Sequence, residues 1–299
     1  MNVKTQECIN TIYNSIYCNF RNQYIVVFLC GGASSKKYKS MRDKLKKQLD
    51  TPQKYRVHMR VFYPEDLLMD AYNKSKNADL LSYEQFLADN SDVIVIVCES
   101  PGALVELGAF VNNEFTTKKV IALIDKKHSK DQSFIMNGPI KYLNKKGKHN
   151  VLPYYPKDEK TTFSETYDKI IEKTGFSRKA LLPNMRLNTI VGMHYFIQLL
   201  LYFYKELPST ELSEMIKWLL KNEKINIKDF DLLFQSSIKL LLLEKSIIKS
   251  MSNKLSMYSL SESGYSSIVG LINKCTDSYL CDKIRVEIMY ADYYKAPRS

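Results

Sequence analysis

Four short apolar runs punctuate the first half of the chain, at residues 24–29, 57–62, 92–97 and 120–124, and small or acidic residues follow them. The third, Asp92-Val93-Ile94-Val95-Ile96-Val97, is β-branched almost throughout, as in a strand buried on both faces. Helical spacing fills the intervals: a basic stretch at 38–49, residues 80–90 with Ser82 placed as N-cap, and 105–110 beyond Gly102. Ile9, Ile12, Tyr13, Ile16 and Tyr17 predict an opening helix over 5–20. Strands alternating with helices specify an α/β fold, a Rossmann-like parallel sheet covered on both faces. Right-handed crossovers then gather the strand ends at Gly31, Tyr63, Glu99 and Asp125 along one edge.

Asn137-Gly138-Pro139 is a turn signal, and residues 151–177, with Pro153 and Pro156, read as a domain edge and connector. Beyond residue 185 the texture changes to Leu/Ile/Lys segments with few glycines. Helices over 189–205, 211–220 and 229–244 are followed by two short β segments within 246–265, joined by a polar turn. That order is the layout of a mainly α winged helix-turn-helix domain. The expected division is therefore 1–180, the α/β domain with its N-terminal helix and connector, and 181–299, the winged-helix domain. In this reading 229–244 is the recognition helix, and Lys239, Lys245, Lys249 and Lys254 meet nucleic-acid phosphates. Few Arg, Asn or Gln side chains offer base readout, and the apolar run 240–243 leaves a buried helix with a protein partner as the alternative.

Charge sharpens the choice of partner. A net +12 and a pI near 9.2 favour anions, nucleic acid first among them. Residues 1–150 hold 23 Lys/Arg against 15 Asp/Glu, and 151–299 hold 21 against 17, so the excess is concentrated in the N-terminal half. The six cysteines show no C-x-x-C, and the four histidines (58, 128, 149 and 194) show no metal or catalytic pairing. A reducing, cytoplasmic setting is expected, with no resident metal or cofactor. No apolar run reaches the ~18 residues of a membrane helix, and residues 1–10 lack a signal-peptide core.

The strand ends supply the candidate chemistry. Glu106 falls in the first turns of a helix that begins at the carboxyl end of the 92–97 strand, where ligands bind open α/β sheets. A carboxylate there serves either as nucleophile or oxocarbenium stabiliser in N-glycosidic chemistry, or as an acid on the helix dipole. Gly102 allows a tight turn or close ligand approach. Gly31 and Gly32 offer backbone N–H groups to phosphate or ribose, without forming a G-x-G-x-x-G or Walker pattern. Glu65 and Asp66 read either as helix N-terminal acids, the commoner role of isolated acids there, or as binders of ribose hydroxyls, and Glu99 and Ser100 are placed to hold sugar hydroxyls beside Glu106. Arg42 is expected on the surface, with a turn back toward an anionic group as the alternative, and Asp92 is expected to be structural.

The strings Phe28-Leu29-Cys30-Gly31-Gly32, Phe62-Tyr63-Pro64-Glu65-Asp66-Leu67, Glu99-Ser100-Pro101-Gly102 and Glu106-Leu107-Gly108-Ala109-Phe110 resemble the nucleoside deoxyribosyltransferase-like effectors encoded with retrons. Leu80-Leu81-Ser82-x-Glu84, Asn112-Asn113-Glu114 and Ser133-Phe134-Ile135-x-x-Gly138-Pro139 extend the resemblance over residues 24–140. The resemblance implies an N-glycosidase with Glu106 as the catalytic glutamate. It also implies restraint by a reverse transcriptase and its branched RNA–DNA hybrid until phage infection releases a toxin. Deoxyribosyltransferases carry an acid six positions before the glutamate, where this chain has Ser100 beside Glu99. Sugar recognition is therefore expected to differ and transfer between bases is not assumed; the resemblance to such effectors implies NAD or another nucleotide as substrate, with water as acceptor. Asn113 would bind substrate or a neighbouring subunit of a homo-oligomer. Two rival functions remain open from sequence: a non-catalytic nucleotide sensor coupled to a winged-helix regulator, and a salvage deoxyribosyltransferase.

Overall fold

Among the described residues, five strands build one parallel sheet: β1 (Tyr24–Cys30), β2 (His58–Phe62), β3 (Val93–Val97), β4 (Val120–Asp125) and β5 (Val151–Tyr154). They come from a computed structural model that describes residues 1–21, 24–51, 57–66, 86, 90–147, 150–176 and 185–293. The expected helix over 80–90, its Ser82 cap and the Leu80-Leu81-Ser82-x-Glu84 string lie outside the described residues, except for Phe86 and Asn90. The strand order is β2-β1-β3-β4-β5. Chain direction of the crossovers therefore reverses between β1 and β3, the switch point of a doubly wound sheet. Registers Phe28↔Phe62, Cys30↔Ile96 and Val97↔Leu123 align the carboxyl ends along one edge.

The fifth strand replaces part of the expected connector. Pro153 interrupts its apolar pattern, but β5 is an edge strand, where a missing N–H costs least. Val93 to Val97 are buried throughout, as their β-branched run predicts. One sheet face packs on Met41, Leu45 and Leu49 of α2 (Met41–Leu49) and on Phe163 and Ile170, from the charged helix that follows β5. On α3 (Pro101–Asn112), Ala103, Leu107, Phe110 and Val111 are buried at helical spacing. A short helix α4 (Glu114–Thr117) leads to β4, and α5 (Lys141–Lys146) and α6 (Glu159–Thr174) flank β5.

The chain divides into two compact units, Gln23–Leu181 and Met1–Asn22 with Leu182–Ser299. The opening helix α1 (Val3–Ser15) thus belongs to the C-terminal unit, not to the 1–180 domain assigned from order along the chain. Its Cys8, Ile9 and Ile12 are buried, Tyr17 packs edge-on against Phe196, and Asn2 Nδ2 donates to the Ala291 carbonyl at 3.4 Å. Helical periodicity reports that a face must be buried and is silent about which unit buries it.

In this second unit, α7 (Ile190–Tyr204) is followed by β6 (Glu206–Pro208), α8 (Ser209–Asn222), α9 (Phe230–Leu243), the hairpin β7 (Ile247–Ser252) and β8 (Leu255–Leu260), α10 (Glu262–Cys275) and α11 (Ser278–Tyr293). Strand β6 is too short for alternation to reveal, and it pairs antiparallel with β8 in the order β6-β8-β7. Asn253 and Lys254 (φ 48° and 64°) form the two-residue turn of the hairpin, the left-handed pair that matches strand twist. No helix among the described residues is long and apolar enough to cross a membrane.

Candidate active site

Alternation along β1 sends Leu29 to the α2 side of the sheet and Cys30 to the α3 side. On α3, Glu106 lies three residues after buried Ala103 and four before buried Phe110, on the flank of the stripe that faces the sheet. It is half-buried, about 8 Å along the helix from Pro101. Burial and the nearby Glu65 carboxylate push its carboxyl up to about 7, while Arg42 and a hydrogen bond with the Cys30 thiol act in the opposite direction. Cys98 responds to the same neighbourhood: burial and the Glu106 charge raise its thiol to about 12. Glu106 is therefore within electrostatic reach of Cys30, Cys98, Glu65 and Arg42, near the carboxyl ends of β1 and β3.

Glu106 costs stability when ionised. Its folded pKa lies above that of the free side chain, so the folded state binds the extra proton between about pH 4.5 and 7, and stability falls as pH rises through that window. Glu106→Gln is expected to stabilise the α/β unit by about 2–3 kcal/mol at pH 8 and by little at pH 4.5. Urea midpoints at the two pH values measure this, and an equal gain at both would contradict it.

The remaining candidates separate into those that line this neighbourhood and those that build it. Gly31 (φ 154°) needs its lack of a side chain, since a Cβ would stand 3.0 Å from Arg42 Cβ and 3.2 Å from Val97 Cβ. Gly32 abuts Glu99 and Ser100, each about 3.3 Å from where its Cβ would be. Glu65 accepts from the Arg42 guanidinium at 2.6 Å, and Arg42 lies 4.1 Å over the Tyr63 ring. Arg42, expected on the surface, is 5% exposed, because α2 turns it inward over the end of the sheet. Asp66 is exposed one residue beyond Glu65.

Glu99 and Ser100 are engaged in capping helices. Glu99 accepts from the Met41 and Arg42 backbone N–H groups at 2.8 and 3.0 Å, at the start of α2. Ser100 caps α3 through the Ala103 N–H at 3.2 Å, with Pro101 at the first helical position. The turn is thus made before Gly102, which is helical and has open space on its Cβ side. Asn113 ends α3 and caps α4 through the Phe115 N–H at 2.9 Å. Seven residues beyond Glu106, it lies about 10 Å further along the helix, away from the carboxyl edge of the sheet. Asp92 is structural: its carboxylate takes the Val26 N–H at 2.8 Å. Sequence reasoning gave an inward Arg42 only as the lesser alternative, and it missed the pairing with Glu65 and the Cys30 contact, for which no local signal exists.

In the C-terminal unit, Lys245, Lys249 and Lys254 are exposed on the hairpin and its lead-in, whereas Lys239 is half-buried on α9. Most of α9 is core, including Leu232, Leu233, Phe234, Ser236, Ser237, Ile238, Leu240 and Leu241. Asp231, Gln235, Leu242 and Leu243 are its exposed positions. No group of three or more His, Cys, Asp or Glu among the described residues could hold a metal ion.

The chain is similar to two Escherichia coli proteins, named "Retron Ec86 putative ribosyltransferase/DNA-binding protein" (37% identity over 147 residues) and "Retron Ec73 putative ribosyltransferase/DNA-binding protein" (31% over 128 residues). These matches cover 49% and 42% of this chain and 46% and 39% of the relatives, so the chain spans less than half the length of either. A family model described as the STM3845 retron effector protein matches residues 38–250, which include parts of both units. With more than half of its length matched by that model, the chain belongs to the STM3845 retron effector family.

Proposed function

We propose that this retron effector is an N-glycosidase, nucleoside deoxyribosyltransferase-like in its first unit, that cleaves the glycosidic bond of NAD or a related nucleotide. The carrying observation is Glu106: a half-buried carboxylate at the switch point, with Glu65, Arg42 and Cys30 in electrostatic reach. In this reading Glu106 attacks C1′ or stabilises positive charge there, and the C1′–N bond electrons leave with the base. Water then attacks C1′ and gives its proton to solvent, releasing the sugar and regenerating the carboxylate. From a pyridinium glycoside the base departs neutral, so no proton donor is required at the leaving group. The Arg42–Glu65 pair, held at 2.6 Å, lies within electrostatic reach of Glu106, with Glu65 raising its pKa and Arg42 lowering it. The ribosyltransferase named in the two relatives belongs to the same bond-breaking class.

The helix, strand, helix, helix and hairpin order of the C-terminal unit supports a winged helix, with the hairpin as wing. Because α9 is largely core, its nucleic-acid contact would run through Lys245, Lys249 and Lys254 and sense backbone charge. A reverse transcriptase and its branched RNA–DNA hybrid are the proposed restraining partners, in the cytoplasm.

Nicotinamide release from NAD by wild-type and Glu106→Gln protein tests the catalytic reading, with deoxynucleosides in parallel. Release by wild type alone is expected. Base exchange between deoxynucleosides would instead indicate a salvage transferase. Ligand binding that survives Glu106→Gln, without turnover by either protein alone or with the reverse transcriptase and hybrid, would indicate a sensor.

A further inference from the structure

The amino end of α2 follows a Gly-Gly turn, where backbone N–H groups commonly receive phosphate. Here protein groups already occupy them. Met41 and Arg42 N–H donate to Glu99, Asp43 N–H to the Ser40 hydroxyl at 3.1 Å, and Lys44 N–H to the Ser40 carbonyl at 3.2 Å. In the preceding loop, Ser34 N–H donates to Asp43 at 3.1 Å and Ser40 N–H to the Ser34 hydroxyl at 3.0 Å. A phosphate seated at this helix start would displace a carboxylate or lie against it. The floor of the cleft is acidic as well. Glu65 and Glu106 line it, and Arg42 is already paired with Glu65 at 2.6 Å.

Cations lie farther out on the same edge of the sheet. Lys36, Lys37 and Lys39 are exposed in the β1–α2 loop, and the Tyr38 hydroxyl ties that loop to Glu99 at 3.4 Å. Lys126 and Lys127 are exposed directly after β4, and Lys127 Nζ stands 3.3 Å from Asp125. The Val97↔Leu123 register sets Glu99, which the Tyr38 hydroxyl reaches, level with Asp125 at the end of β4, so the two lysine loops leave neighbouring parts of one sheet edge. From β1 to β4 is two strand spacings, about 10 Å.

We infer that the site divides its substrate by charge: sugar and base lie over the acidic floor at Glu106, while a 5′-phosphate lies outside it, on the rim formed by Lys36, Lys37, Lys39, Lys126 and Lys127. The substrate class is then a 5′-phosphorylated nucleoside whose reacting part is neutral or cationic. This rests on Glu106 marking the reacting end, and it moves the phosphate away from Gly31 and Gly32. A cationic glycoside gains from the floor what a phosphate would lose there.

Binding separates this inference from the catalytic one. Full-length Glu106→Gln protein, which leaves ligands intact, is titrated calorimetrically with AMP against adenosine and with nicotinamide mononucleotide against nicotinamide riboside. Each pair differs by one phosphate. At low salt the phosphorylated member is expected to bind about tenfold tighter, and the gap should shrink at high salt. Adding Lys37→Glu and Lys127→Glu should remove the gap while leaving the affinity for neutral adenosine unchanged. No preference within either pair, whether both members bind or neither does, overturns the inference. So does a preference that survives both charge reversals and is lost in Gly32→Ala. Failure of the catalytic reading would appear instead as absent turnover in wild type, with these affinities intact.

Discussion

Glu106→Gln is expected to reduce glycosidic cleavage by about 10³-fold or more, while binding of an intact ligand survives. Glutamine keeps the volume and the hydrogen-bonding reach of the side chain but supplies neither a nucleophilic oxygen nor a full negative charge to C1′. The wild-type pH profile carries a second signature. Burial, then Glu65, holds the Glu106 carboxyl up to about 7, so the reactive anion is the minor form in acid. kcat/KM should therefore rise about tenfold per pH unit up to neutrality and flatten above it. A profile already flat at pH 5, or a glutamine variant retaining about a tenth of the activity, would remove Glu106 from the chemistry. The same carboxylate that weakens the fold at pH 8 thus becomes the reactive group at that pH, a trade between stability and function.

The second large effect concerns the fold of the C-terminal unit. Gly264→Ala is expected to destabilise it by about 3 kcal/mol or more, and Gly270→Ala, in the same helix α10, to stabilise it by about 0.5–1 kcal/mol. Ser261 caps α10 through the Gly264 N–H at 3.0 Å, and the Ser261 N–H donates to the Ser246 carbonyl at 3.0 Å. A Cβ on Gly264 would fall 1.9 Å from that carbonyl oxygen and 2.8 Å from its carbon, both backbone atoms. Relief requires the start of α10 to move off the chain entering β7, breaking the cap. Gly270 is exposed with nothing within 4 Å of its Cβ position, so alanine there only restricts the unfolded chain and favours the helix. Urea denaturation monitored at Trp218 in α8 compares the two. Equal effects would show that the tight contact at Gly264 is relieved by a small adjustment.

Much of the α/β unit was legible because its signals are local. The run 92–97 could be little other than a buried parallel strand, and strand–helix alternation alone puts Gly31, Tyr63, Glu99 and Asp125 on one edge. The position of Glu106 in the first turns after β3 followed from the same pattern. Strands β5 and β6 escaped, one through Pro153 and the other through a length of three residues, since periodicity needs several turns of pattern to register.

What each polar side chain does was decided by tertiary structure. Glu99 and Ser100 lie beside the site in sequence, yet their oxygens hold the starts of α2 and α3. Arg42 looks like one more charge on a basic helix, but packing turns it inward to Glu65. The raised pKa of Glu106 comes from burial against a sheet and from a carboxylate about forty residues earlier in the chain. Likewise α1 opens the chain but joins the unit that closes it. Sequence by itself determined which segments must bury an apolar face and where the strand ends collect, because periodicity and turn chemistry act over a few neighbouring residues. Only the tertiary structure decided which partner each charge meets, because desolvation and Coulomb interaction depend on distances in space that spacing along the chain does not carry.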